Sequence, residues 1–424
     1  MTISPARRNA IIDSLRRGTV PSEGLDQLAV GLDHLEPIIG AELDRVATGG
    51  AVFKAIRGEY GSGKTFAARW IEQQALSQGF AVSEVQISEM ETPLHKLETV
   101  YRRAIEELRT DAFPRQAFRS VLDLWLYQVE MDAESAGANP ETVMEERLSP
   151  IASAAPVFPL ALRGYRRAVE NDETDIADGL AAWLGGQPTV ASSIKRYAGV
   201  KSDLDHYTAT GFIRGLLEIL RGSGHQGLVL VLDEVETLQR MRSDTREKAL
   251  NALRQWIDEI DSGHYPGLYL LITGTGAFFE GPQGVKRLAP LYARIHVDFS
   301  GDPKWDNPRL PQIRLHGFTL QRLGAVGRKV RDLYVQGASP RVAEVADDAF
   351  VEQLAAAVAG RLGGQVGIAP RQFLRTLIDV LDRIDLHPDF DPHSDYTLDI
   401  NPSTMTAAER EAAGAVTDPD DIEL

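Results

Sequence analysis

Eight consecutive residues, Gly58-Glu59-Tyr60-Gly61-Ser62-Gly63-Lys64-Thr65, constrain this chain more than any other feature in it. In the pattern G-x-x-x-x-G-K-[ST] the glycines let successive backbone N–H groups turn inward onto one anionic group. The lysine reaches that same group, and the hydroxyl after it can ligate a divalent cation. The pattern carries this meaning only between a strand and a helix. Here Ala51 to Arg57 is short and apolar, and Thr65 to Ser77 has helical spacing. The segment is therefore read as a phosphate cradle. Gly58, Glu59, Tyr60, Gly61, Ser62 and Gly63 supply backbone, Lys64 reaches the β/γ oxygens, Thr65 ligates Mg²⁺, and Phe66 continues into the helix.

The same alternation continues downstream. Phe80 to Ile87 reads as a strand, Leu94 to Leu108 as a helix, and Leu228 to Leu232 as a strand apolar on both faces. Thr245 to Ile260 (helix) and Leu268 to Thr273 (strand) follow, then a helix-to-strand passage ending in Arg294-Ile295-His296-Val297 and a short strand at Ile313 to Leu315. Strands and helices in this order predict an α/β fold, a parallel sheet flanked by helices. About a hundred residues between Lys64 and Asp233 exceed what those elements need. They read as a helical insertion, about 112–207. The expected organisation is an N-terminal helical segment over 1–50, a nucleotide-binding domain over 51–318, a lid over 319–386 and an acidic, mobile tail over 387–424. The lid helices are read at Leu320 to Tyr334, Ala346 to Gly360 and Pro370 to Ile384.

Two further strand ends carry chemistry. Asp233-Glu234 closes the Leu228 to Leu232 strand: a carboxylate there holds the Mg²⁺, and the next orients or deprotonates the attacking water. Thr273 and Thr275 close the Leu268 to Thr273 strand, and one hydroxyl is expected on the γ-phosphate or the water, with Thr273 the first choice. A guanine-binding Asn-Lys-x-Asp is absent, which favours ATP. There is no cysteine, which excludes disulfides and thiolate chemistry and fits a reducing compartment. No apolar run can cross a bilayer and the amino terminus lacks a signal-peptide core, so the expected location is cytoplasmic, without membrane contact. A formal net charge of −16 opposes sequence-independent binding of DNA. Basic residues in the insertion, among them Arg115, Arg119, Arg163 and Arg166, leave a local DNA contact open.

The order of phosphate loop, Asp-Glu strand, polar strand end, arginine and helical lid resembles the AAA+ superfamily. The segment Gly-Ile-Ala-Pro370-Arg371-Gln-Phe-Leu-Arg375 is similar to the motif by which origin-recognition and Cdc6-type ATPases bring a lid arginine to the γ-phosphate. That resemblance implies the role for Arg371. It also implies an arginine finger toward a neighbouring subunit at Arg294, with Arg287 in reserve. A closer resemblance is to the BrxD-type ATP-binding proteins of bacterial BREX phage-defence systems. It rests on Ile-Asp-Ser-Leu-Arg-Arg-Gly18-Thr-Val-Pro21-Ser-Glu-Gly24-Leu, on Ala29-Val30-Gly31, and on Arg57 through Phe66. It implies that Val30 and Gly31 lie near the adenine. It further implies an ATPase subunit acting on DNA or on partner proteins, through other defence-system proteins or self-association. A switch with slow turnover and no direct DNA contact is the competing expectation. The carboxyl end is too short for the winged-helix domain of origin-recognition ATPases.

Overall fold

The computed structural model describes residues 3–362, 367, 370–398, 405 and 409–410. The chain divides into two compact units, each with its own hydrophobic core. One comprises Met1–Glu36, Arg57–Gln73 and Arg314–Leu424; the other comprises Pro37–Ile56 and Gln74–Ile313.

The larger unit is built on a sheet of β1 (Val52–Arg57), β2 (Ala81–Gln86), β3 (Leu228–Asp233), β4 (Leu268–Gly274) and β5 (Gln312–Arg314), in the order β2-β3-β4-β1-β5. β2, β3 and β4 pair in parallel, with Gln86 opposite Asp233. Every residue of β3 and β4 is buried, which explains why both read as continuous apolar runs instead of alternating ones. The parallel, helix-flanked class expected is the one observed. Parallel order has a consequence for chemistry: the carboxyl ends of β2, β3 and β4 share one edge, and Gln86, Asp233 and Thr273 stand on it.

The segment read as an insertion contains five helices, Phe118–Ala136, Pro140–Ala152, Val157–Glu170, Thr174–Leu184 and Ser192–Tyr197. Its breaks have local causes. Asn139 caps the helix opened by Pro140, and Gly137 takes the left-handed conformation that closes the one before. These helices share one core with the sheet. Phe212, on helix His206–Gly222, receives Tyr101, Phe158 and Trp183 edge-on at centroid separations of 5.6, 5.0 and 5.4 Å.

A buried ion pair ties β1 to its surroundings in this unit. Lys54, 2% exposed, pairs with Glu42 at 2.5 Å and donates to the carbonyls of Pro308 and Leu310. The Tyr269 hydroxyl donates to the same Glu42.

One element departs from expectation. Arg294 and Ile295 end a helix, Ala289–Ile295, and no strand forms over 294–297; the fifth strand is β5. Leu291 and Ile295 are buried at helical spacing, so an apolar pair that fits either period was won by the helix.

In the smaller unit the expected lid helices are Leu320–Val335, Asp348–Arg361 and Pro370–Leu386, joined by a short one, Pro340–Val345. Thr319 and Asp347 cap two of them through their side chains. The first helix of the chain, Pro5–Arg16, packs into the same core through Ile11, Ile12 and Leu15. Arg16 makes a forked contact to Asp382, with Nε and NH2 at 2.7 and 2.8 Å from the two carboxylate oxygens. The tail expectation falls largely outside the described residues. The described part from His387 is held: Arg341 donates to the carbonyls of His387 and Phe390, and His393 meets Phe350 edge-on.

Candidate nucleotide site

The phosphate loop lies in the smaller unit. Gly61 and Gly63 have φ of +77° and +90°, values that a side chain opposes and that turn the backbone into a concave cradle. Gly58 is required for space: a Cβ there would lie 2.2 Å from Ser62 Oγ. The helix Lys64–Ser77 begins at the lysine itself, so its free N–H groups and positive end belong to the loop. Lys64 is buried, and its Nζ donates to the carbonyls of Gly58 and Glu59 at 3.0 and 3.4 Å, 5.1 Å from the Tyr60 ring centroid. The Ser62 hydroxyl is buried without a hydrogen-bond partner. A cradle with left-handed glycines, a buried cation and an unmatched hydroxyl fits a phosphate chain. The Phe66 side chain, just after the loop, packs against the core of the smaller unit.

The acidic strand ends lie in the sheet unit. Asp233 is 5% exposed and Thr273 fully buried, and the Thr273 hydroxyl donates to Asp233 Oδ1. The Glu234 backbone N–H donates to Asp233 Oδ1 and to Thr273 Oγ1, each at 3.1 Å. Glu234 is held at φ +58° and ψ +39°, a left-handed conformation that costs a non-glycine residue about 1 kcal/mol or more. Immediately after it the chain enters a tight 3-10 turn, Val235–Arg240. Its carboxylate then accepts from Gln86 Nε2 at 2.9 Å. Of the two threonines, Thr275 caps the helix Gly276–Glu280 through its hydroxyl. Only Thr273 reaches the carboxylate pair. Asp233 and the Thr65 hydroxyl are hard oxygen donors, the kind that suits Mg²⁺.

The sequence profile of a family described as BREX system ATP-binding protein BrxC/D matches residues 3–400. The chain belongs to this family. Among curated proteins none matches. Of solved structures, that of the Aeropyrum pernix ORC2 protein (ADPNP-ADP complexes) is similar over 90% of this BrxC/D-family chain, at 14% identity and a TM-score of 0.43. The alignment spans 66% of that protein's length.

Other residues of the BrxC/D-family chain are engaged within it. Arg371, in the first turn of Pro370–Leu386, donates through Nε to the Gly18 carbonyl at 3.0 Å and pairs through NH1 with Glu409 at 3.2 Å. Glu409 is 3% exposed and also accepts from Gln372. Arg294 pairs with Asp258 and donates to the Pro290 carbonyl at 2.7 Å; Arg287 donates to Ser243. Val30 and Gly31 are half-buried, beside the Ala29 carbonyl that accepts from Lys329 at 2.7 Å. Two residues escaped sequence reasoning. Gln86 gave no signal beyond a polar residue at a strand end, because its contact depends on strand register. Glu409 lies in a segment whose composition argued for solvent.

Among the described residues no helix is long and apolar enough to cross a membrane, and no cluster of three or more His, Cys, Asp or Glu could hold a metal ion.

Proposed function

We propose that this chain is an ATPase subunit of a BREX-like phage-defence system that works in the cytoplasm on DNA or on partner proteins. The observation that carries the reading is the phosphate loop: a buried Lys64 at the start of a helix, inside a turn that only glycines can make. In this reading Gly58 to Gly63 wrap the phosphates, Lys64 exchanges its contacts with the Gly58 and Glu59 carbonyls for β/γ oxygens, and Thr65 and Asp233 hold Mg²⁺. The bound cation would neutralise charge that develops on the phosphoryl oxygens. Glu234 orients the attacking water, with Gln86 fixing the carboxylate and the left-handed backbone fixing its direction. Thr273 acts on Asp233 as a hydrogen-bond donor and sets the carboxylate's orientation. Arg371 is the lid arginine that moves to the γ-phosphate, and Arg294 the candidate for a neighbouring copy.

The switch reading draws on one specific observation. Glu234 and Arg371, the two groups assigned to turnover, are each held by a side chain or carbonyl of their own chain. Such restraint favours slow basal turnover that a partner releases.

Steady-state hydrolysis with and without duplex DNA, beside nucleotide binding, tests both. Lys64→Ala should abolish ATP binding, whereas Glu234→Gln should bind ATP with turnover reduced at least a hundredfold. Full turnover in Glu234→Gln would remove Glu234 from its role. DNA-stimulated turnover supports the first reading; tight binding with negligible turnover supports the switch.

A further inference from the structure

Helix Phe118–Ala136 buries one face, with Val121, Leu122, Trp125, Leu126 and Val129, in the core of the larger unit. Part of its outer face is apolar too. Leu124, Tyr127 and Met131 recur at i, i+3 and i+7 and so form one stripe, and they are 38, 57 and 38% exposed. At 100° per residue the two edges of the stripe differ in charge. Along one edge Gln128 donates to Asp132 at 2.8 Å, and Arg147 pairs with the same carboxylate, so the charge is balanced. Along the other stand Asp123, Glu130 and Glu134. Arg119 pairs with Asp123 at 3.3 Å, but no side-chain hydrogen bond or ion pair of Glu130 or Glu134 occurs among the described residues. Both glutamates stand where the helix opposes them. Carboxylates at i and i+4 repel each other. Glu134 also lies in the last turn, where the helix dipole favours a cation, and that turn holds no base.

We infer that this face is a docking surface for a basic amphipathic helix of another protein. Apolar side chains of that helix cover Leu124, Tyr127 and Met131, and lysines or arginines along one edge of it meet Glu130 and Glu134. Charge complementarity selects this occupant. A second copy of the chain supplies no cation: in an antiparallel pair the two acidic edges face each other, and in a parallel pair each faces Gln128 and the already paired Asp132. Duplex DNA and an anionic membrane are repelled by the same carboxylates. A basic helix relieves the repulsion between the glutamates, answers the dipole at the helix end and removes the stripe from water.

The test is binding of two labelled helical peptides to the full chain, read by fluorescence anisotropy. One carries a leucine stripe edged by lysines; the other has glutamates in place of the lysines. The lysine peptide should bind and the glutamate peptide should not. Leu124→Ser/Tyr127→Ser/Met131→Ser and, separately, Glu130→Gln/Glu134→Gln should each weaken the lysine peptide about tenfold or more, with the fold retained by circular dichroism. If the serine variant loses the fold, the glutamine variant, which keeps every apolar contact, decides alone. Failure of the lysine peptide to bind the parent chain would overturn the inference. So would equal affinity for a folded serine variant and the parent, because net charge alone would then hold the peptide. Self-association of the parent chain that the serine variant abolishes in sedimentation would give the face to a second copy and overturn the inference as well.

Discussion

Glu234 is fixed from two directions, through a backbone that few side chains tolerate and through the amide of Gln86. The first restraint aims the carboxylate; the second holds its rotamer. Removing the second should leave binding intact and spoil chemistry, because a misplaced base costs far more in rate than in affinity. Gln86→Ala is therefore expected to lower kcat about tenfold or more, with the Kd for ATP within about twofold, by turnover and binding on the same preparation. If the switch reading holds instead, the same substitution should raise basal turnover. The direction of the change thus separates the two. The shape of the glycine-rich loop was legible because such a turn is local: its glycines, lysine and threonine fall within eight positions of chain. The contacts of Gln86 and Glu409 were not, since one depends on pairing between strands and the other on a contact with Arg371 across 38 positions of chain.

At the scale of elements, β1 is anchored by a charge pair that hydrophobic patterning does not foresee. Lys54 and Glu42 are both largely shielded from water, and Lys54 also closes the loop at Pro308 and Leu310. Breaking such a pair from one side strands the other charge. Lys54→Met should lower unfolding free energy by about 3–5 kcal/mol, and adding Glu42→Gln should recover a large part of the loss, as read by denaturant midpoints. Equal stability of the two variants would show that Glu42 is solvated without its lysine. The strands were readable because burial on both faces leaves an unmistakable run of Leu, Val and Ile in β3 and β4. Arg294 to Val297 misled for a physical reason: Ile295 and Val297 alternate as in a strand, whereas Ile295 is buried with Leu291 at helical spacing, a pairing that shows only in the packed chain.

The molecule as a whole carries histidines that folding keeps neutral. Burial pushes the pKa of His95 and of His225 down from the usual imidazole value; His225 also lies 3.0 Å from the Ser223 hydroxyl. The unfolded chain then binds more protons than the folded one, so these groups favour the fold at neutral pH. Their contribution is full above about 6.5, the unfolded value, and is lost as pH falls from there through the lowered folded value. Unfolding midpoints at pH 7.5 and 5.5 should show the loss, and His225→Gln should show less of it; an unchanged difference would rule out His225. The other whole-molecule feature is the core that the inserted helices share with the sheet. Since Phe212 takes rings from both sides of that boundary, the insertion cannot have been a detachable ornament. Excising these helices would strip Phe158 and Trp183 from around Phe212, so a shortened chain should need a more polar residue at 212, outside the excised segment, to stay soluble.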